Sequence, residues 1–249
     1  MNVSIVNADS KYSRVPLEEP TSRGYIHIAA QTCEPSFPFR PNTDPRLLAE
    51  LKDLVEHLEQ VDCVDTIHTF RAVGLPPVSR LPYVKDHAGS IRIARFDVAV
   101  LIEMKNKESL AEVQGTPLYE ALVEYLRTHS KSVHVMPAMN MKRFGEVNST
   151  QDGLFLFNYF VAEDAATLME LWDYMADWYR VEMDLDNSLL LVPTNPEASD
   201  YVALNYARFE GSLPSFLAKQ MPKRSFRNYL LANLDTHHVG AMPILYRLA

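Results

Sequence analysis

The sequence predicts an α+β fold in which two tandem β-α-β-β-α-β units, residues 24–145 and 153–249, press their sheets together within one chain. Three observations predict it. The order of strand-like and helix-like segments in the first half returns in the second. Residues at an offset of 104 coincide: Val98-Ala99 with Val202-Ala203, Tyr125-Leu126 with Tyr229-Leu230, His134-Val135 with His238-Val239, and Arg143 with Arg247. The chain, 249 residues with 47% hydrophobic side chains, is also long enough to bury a core without disulfides or a structural metal.

Residues 1–23 are polar and without a sustained period, which reads as an arm or a disordered segment. Gly24–Ala30 alternates like a short strand, and the proline-rich connector Pro35–Pro41 follows. Asp44-Pro45 is a helix start, with an acceptor at the cap and proline at the first helical position. Leu47, Leu48, Leu51, Leu54, Val55 and Leu58 recur at helical spacing, so helix 45–60 buries one face. Asp65–Arg71 and Ile91–Glu103 read as strands flanking a long loop with Gly74, Pro76, Pro77, Pro82 and Gly89. A helix over 107–128, interrupted at Gly115-Thr116-Pro117, and a strand over Ser132–Arg143 close the first unit.

In the second unit, Gly153–Val161 is a strand and Asp164 caps a helix carrying Leu168, Leu171, Trp172 and Met175 on one face. Asn187–Val192 and Asp200–Arg208 are strands joined by Thr194–Ser199. A helix over 212–233, broken at Met221-Pro222, leads to the closing strand Thr236–Leu248. One such unit leaves one sheet face bare, and a second unit in the same chain covers it.

Composition narrows the function. Lys and Arg number 24 against 32 Asp and Glu, a net charge of −8, which argues against a duplex nucleic-acid binder. No apolar run reaches a membrane span, and the N-terminus has no signal-peptide core, so no membrane partner is expected and the cytoplasm is the expected compartment. The two cysteines, Cys33 and Cys63, form neither a zinc pattern nor a disulfide framework. Asp184-Leu-Asp186-Asn187 imitates the start of a calcium loop, but Leu189 and Asn195 stand where that loop needs glycine and glutamate. There is no GxGxxG, P-loop, GxSxG or HExxH, so no cofactor and no metal is expected.

The element order, the broken second helix of each half (109–130 and 212–234) and the closing strands ending in Lys142-Arg143 and Tyr246-Arg247 resemble the dimeric α+β barrel superfamily in its duplicated form. The resemblance spans roughly residues 24–249 and implies two ferredoxin-like units forming an intrachain α+β barrel. That superfamily is similar to cofactor-free monooxygenases, muconolactone-type isomerases, haem enzymes related to chlorite dismutase, and stress-responsive proteins. A haem-binding member would imply a proximal histidine in the second half and an arginine across the haem. Neither is placed by this sequence, and fold alone does not imply function.

Polar residues that interrupt apolar strands are the candidate site. His134 and His238 occupy matching positions on the closing strands and are the candidate catalytic bases if both point into the barrel; otherwise each is a hydrogen-bonded strand histidine. His68, Asn158, Asn205 and Tyr246 are candidate substrate-binding residues, with His27 and Asp97 among the other interruptions. Arg95 is the candidate for ligand charge. The segment 71–95 carries Arg71, Arg80, Lys85, Arg92 and Arg95 against Asp86, and reads either as a cationic lid or as a solvated loop. Any cavity is therefore expected on the side of the 72–90 loop. Two functions follow. The first is a small-molecule-binding barrel acting without a cofactor, as an oxygenase or isomerase, on a small anionic, partly aromatic compound. The second is a non-catalytic, stress-associated protein. A homodimer would use helices or edge strands, with Trp178 and Tyr179 as contacts.

Overall fold

A computed structural model describes residues 3–34, 41–77 and 82–249. Most of the proline-rich connector, residues 35–40, and the segment 78–81 with Arg80 lie outside the described residues. The described residues form eight strands and seven α-helices. The first half holds β1 (Gly24–Gln31), α1 (Pro45–Leu58), β2 (Val64–Gly74), the short α2 (Pro82–Asp86), β3 (Val98–Met104), α3 (Leu110–Gln114), α4 (Pro117–Thr128) and β4 (Ser132–Phe144). The second holds β5 (Leu154–Ala162), α5 (Ala165–Met183), β6 (Ser188–Pro193), β7 (Ala203–Phe209), α6 (Leu213–Gln220), α7 (Ala232–Thr236) and β8 (Val239–Leu248).

Local chemistry sets the helix starts. The Asp44 side chain accepts from the Arg46 N–H with Pro45 at the first turn, and Asp164 accepts from the Ala166 and Thr167 N–H groups. Leu47, Leu51, Val55 and Leu58 are the buried stripe of α1. Among the described residues, no helix is long and apolar enough to cross a membrane.

The strands close an antiparallel barrel in the order β1-β3-β2-β8-β5-β7-β6-β4. Strands of residues 24–144 run β4-β1-β3-β2 and those of residues 154–248 run β6-β7-β5-β8, sealed by β2 on β8 and β4 on β6. Closure removes every exposed sheet edge. An eight-stranded barrel is just wide enough for its own side chains, and Tyr25, Phe70, Phe155, Phe157, Tyr206 and Tyr246 fill this one. Helices cover the outside as two separate apolar layers, α1 and α4 over the first half and α5 and α6 over the second.

Several elements depart from the sequence reading. The strand expected from Ile91 begins only at Val98. The residues before it cap one end of the barrel: Phe96 is buried, and its carbonyl accepts from the Tyr246 hydroxyl at 2.9 Å. The Asp97 carboxylate then turns the chain by accepting from the Thr32 N–H and the Thr43 hydroxyl. The strand expected from Asp200 begins at Ala203, and β8 begins at Val239, not at Thr236. Between α6 and α7 the helix widens into a π-helical turn over Phe226–Leu231. The polar N-terminal arm is ordered against the second half. Its Val6 N–H donates to the Asn233 side chain at 2.8 Å, and the Val15 N–H donates to the Asp173 carbonyl at 3.1 Å. The Tyr12 hydroxyl donates to Glu182 on α5 at 2.7 Å. Burial would raise the Glu182 pKa, but hydrogen bonds from Lys11, Lys223 and Tyr12 outweigh it and hold the carboxyl at about 2.

Candidate functional site

Alternation along the strands of the second half decides what faces what. On β5, Leu154, Leu156 and Phe160 join the helix-covered layer, whereas Phe155, Phe157 and Tyr159 join the barrel interior. On β7, Ala203 and Ala207 face the helices, and Leu204 and Tyr206 face inward. Asn158 and Asn205 therefore sit on the helix side, directly opposite each other in the β5–β7 register.

Above them lies a cavity of about 690 Å³. Its floor is Leu156, Asn158, Phe160, Ser188 and Asn205, and its far wall is Trp172, Met175, Ala176 and Tyr179 of α5. Phe216, Leu217 and Gln220 of α6 close one side. Residues 73–77 with Tyr83 and Val84 of α2 close another. The cavity thus borders the long 72–90 segment, as expected, but outside the barrel and not within it. The lining is apolar apart from a few fixed polar groups, the usual make-up of a small-molecule site.

Asn205 is held hard. The Trp172 indole N–H and the Ser188 hydroxyl both donate to its Oδ1, at 2.8 and 2.7 Å. The Asn158 Oδ1 and Gln220 Oε1 atoms are buried and have no hydrogen-bond partner. Burial chiefly raises the pKa of the Tyr179 phenol, with Gln220 opposing. Among the described residues, Arg227, whose Nη1 donates to the Met221 carbonyl at 3.1 Å, is the cation of the lining.

The remaining sequence candidates lie elsewhere. His134 is buried inside the barrel end, its ring 4.8 Å from that of Tyr201 and its Nδ1 3.4 Å from Asp200 Oδ2. Burial, together with the charge of Arg92 and against the pull of Asp200, lowers its pKa to about 4. His27 lies in the same interior, lowered to about 3 by burial and by His134. Tyr246 is buried there too, with Tyr159 as a hydroxyl neighbour at 3.4 Å. His68 is half-buried, its ring 6.3 Å from that of Phe70, with Nε2 unpartnered.

Three placements correct the sequence reading. His238 does not mirror His134: it stands just outside β8 with φ 53°, ends α7, and is exposed, with Nδ1 2.8 Å from Glu163. A left-handed residue after a helix is a common way to end one, and it turns the imidazole outward. Arg95 is exposed in the segment leading to β3 and is not among the residues lining the cavity. Trp178 is fully buried, and its indole N–H donates to Ser225 Oγ at 3.1 Å, so it packs this chain's own core and offers no contact to a partner. The candidates brought together in the cavity are Asn158 and Asn205. Sequence reasoning missed Trp172 and Ser188 as the clamp on Asn205, and Gln220. Trp172 was legible only as a core aromatic.

A haem in this cavity would need an axial ligand. Among the described residues the lining holds no histidine or cysteine, and burial raises the Tyr83 and Tyr179 phenols, which disfavours a tyrosinate. Among the described residues no group of three His, Cys, Asp or Glu side chains is arranged for a metal ion. The residues present do not fit a haem.

No protein-family model and no curated protein matches this sequence. Solved structures do. The chain is similar to an anthrone oxidase-like protein, with 8% identity over 94% of each chain and a TM-score of 0.62. It is similar to a candidate monooxygenase from Fusobacterium nucleatum, with 8% identity over 91% of each chain and a TM-score of 0.52. A variant chlorite dismutase from Candidatus Nitrospira defluvii matches at 11% identity over 93% of each chain, but its TM-score of 0.48 carries no argument. The first two likenesses bear on the fold alone: the chain is an α+β protein built on a closed, eight-stranded antiparallel barrel. At these identities they establish nothing finer.

Proposed function

We propose that the protein binds a small, largely apolar, partly aromatic molecule in the cavity beneath α5 and α6. We also read residues 24–145 and 153–249 as tandem ferredoxin-like units, of which the second holds the site. The observation that carries the binding reading is the cavity itself. It is of small-molecule size, walled by aromatic and aliphatic side chains, and floored by two facing amides, of which Asn205 is fixed in place. No carboxylate, imidazole or ammonium lines it among the described residues, so it supplies no general base. That favours binding over acid–base catalysis. A cofactor-free oxygenase built on this cavity would depend on a substrate that ionises without help.

The test is a fluorescence titration that uses Trp172 in the cavity wall as reporter. Anthrone, a planar tricyclic ketone, is a suitable first probe. Saturable quenching at micromolar concentration is expected. It should disappear in Ala176→Trp, which fills the cavity. Unsaturable quenching, or equal binding by Ala176→Trp, would remove the proposal.

A further inference from the structure

We infer that the Asn158–Asn205 pair recognises an un-ionised hydroxyl group on the ligand, a phenol or alcohol on an apolar skeleton, in preference to an anionic oxygen. This rests on the reading of the cavity as a binding site and names the chemistry that it selects.

The orientation of Asn205 follows from its neighbour. An indole N–H can only donate, so the amide atom facing Trp172 Nε1 at 2.8 Å must be the oxygen. Ser188 donates to that same oxygen at 2.7 Å, which occupies both of its lone pairs. The NH₂ of Asn205 is left as the donor of the cavity floor. Asn158 stands opposite in register, with side-chain roots about 5 Å apart. Its Oδ1 is buried and unpartnered, and the residue is only 9% exposed.

A donor and an unpaired acceptor side by side match a group that does both. A hydroxyl oxygen accepts from Asn205, and its hydrogen goes to Asn158. A carboxylate or phenolate has no hydrogen to give and would set negative charge against the Asn158 oxygen. A ketone would satisfy Asn205 and leave Asn158 unpaired. Gln220, across the cavity on α6, has an unpartnered buried Oε1 as well, so a second wall also asks for a donor. Among the described residues Arg227 is the cation of the lining, and it is exposed, so solvent and salt screen its pull on an anion. A buried acceptor without a partner is costly enough that the hydroxyl should improve affinity about 10-fold or more.

Calorimetric titration at pH 7 with naphthalene, 2-naphthol, 2-acetonaphthone and 2-naphthoate tests this on one skeleton. The expected order puts 2-naphthol about 10-fold or more ahead of the other three, and Asn158→Leu should bring it level with naphthalene. A measurement on the unaltered protein guards against a folding defect in that variant: affinity for 2-naphthol should fall as pH rises through the naphthol's own pKa. Equal affinity for naphthalene and 2-naphthol, tighter binding of the naphthoate, or affinity that rises as the naphthol ionises would overturn the hydroxyl reading while leaving the cavity a binding site. Binding of none of the four would overturn the cavity reading and this inference with it.

Discussion

Asn158 faces Asn205 at the fifth residue pair of the β5–β7 ladder, counted from Leu154 opposite Phe209. At the fifth pair of the β1–β3 ladder, counted from Gly24 opposite Met104, Ile28 faces Val100. Both of those residues are buried in the apolar layer under α1 and α4. The fifth pair of the first ladder is thus sealed beneath helices, and the fifth pair of the second forms the polar floor of a cavity.

Replacing Asn205 by leucine leaves the Trp172 N–H and the Ser188 hydroxyl without their acceptor. Each orphaned donor should cost about 1–3 kcal/mol. Urea denaturation should show that loss, whereas Asn158→Leu, which removes an acceptor that already lacks a partner, should be near neutral. Equal destabilisation by the two changes would contradict the clamp.

Gly240 lets α2 approach β8. A Cβ there would lie 2.6 Å from Val161 Cγ2, 2.9 Å from Val84 Cγ2 and 3.0 Å from Tyr83 Cδ1. Because Tyr83 and Val84 form part of the cavity wall, Gly240→Ala should lift α2 and open that side. Hydrogen exchange over residues 82–87 should accelerate, with the barrel strands still protected. Unchanged exchange in α2 would show that the contact is slack.

The two buried histidines make the barrel acid-sensitive. Burial lowers His27 to about 3 and His134 to about 4, so both are neutral in the folded protein at pH 7. In the unfolded chain they take up protons near pH 6.5. The unfolded state therefore binds more protons as pH falls below 6.5, and stability is lost from there down towards the folded values. His134→Phe should remove about 1–3 kcal/mol of the loss between pH 7 and 4.5. Parallel pH profiles for the variant and the unaltered protein would contradict this.

How far the sequence disclosed this molecule depended on whether its signals were local. The starts of α1 and α5 were legible because Asp44 and Asp164 sit just before apolar stripes at helical spacing. The break in the second helix of each half was legible from Gly115-Thr116-Pro117 and Met221-Pro222. Residues 91–97 alternate like a strand, yet they cap the barrel end, because hydrogen bonds from Thr32 and Thr43 to Asp97 are invisible in the local pattern. Asn158 and Asn205 stood out as polar breaks in apolar strands. Which way they face did not, because a strand buried on both faces has no polar side to orient it. The match of His238 to His134 at a fixed offset was real in sequence, but α7 ends at that point and turns His238 to solvent.

The most direct measurement is a crystal structure of the protein soaked with 2-naphthol. The account predicts the ring system between Trp172 and the floor of β5 and β7, with the hydroxyl oxygen within hydrogen-bonding distance of Asn205 Nδ2 and Asn158 Oδ1. Density for the naphthol beside His134 in the barrel, or only on the outer surface, with the cavity beneath α5 lacking it, would contradict the account.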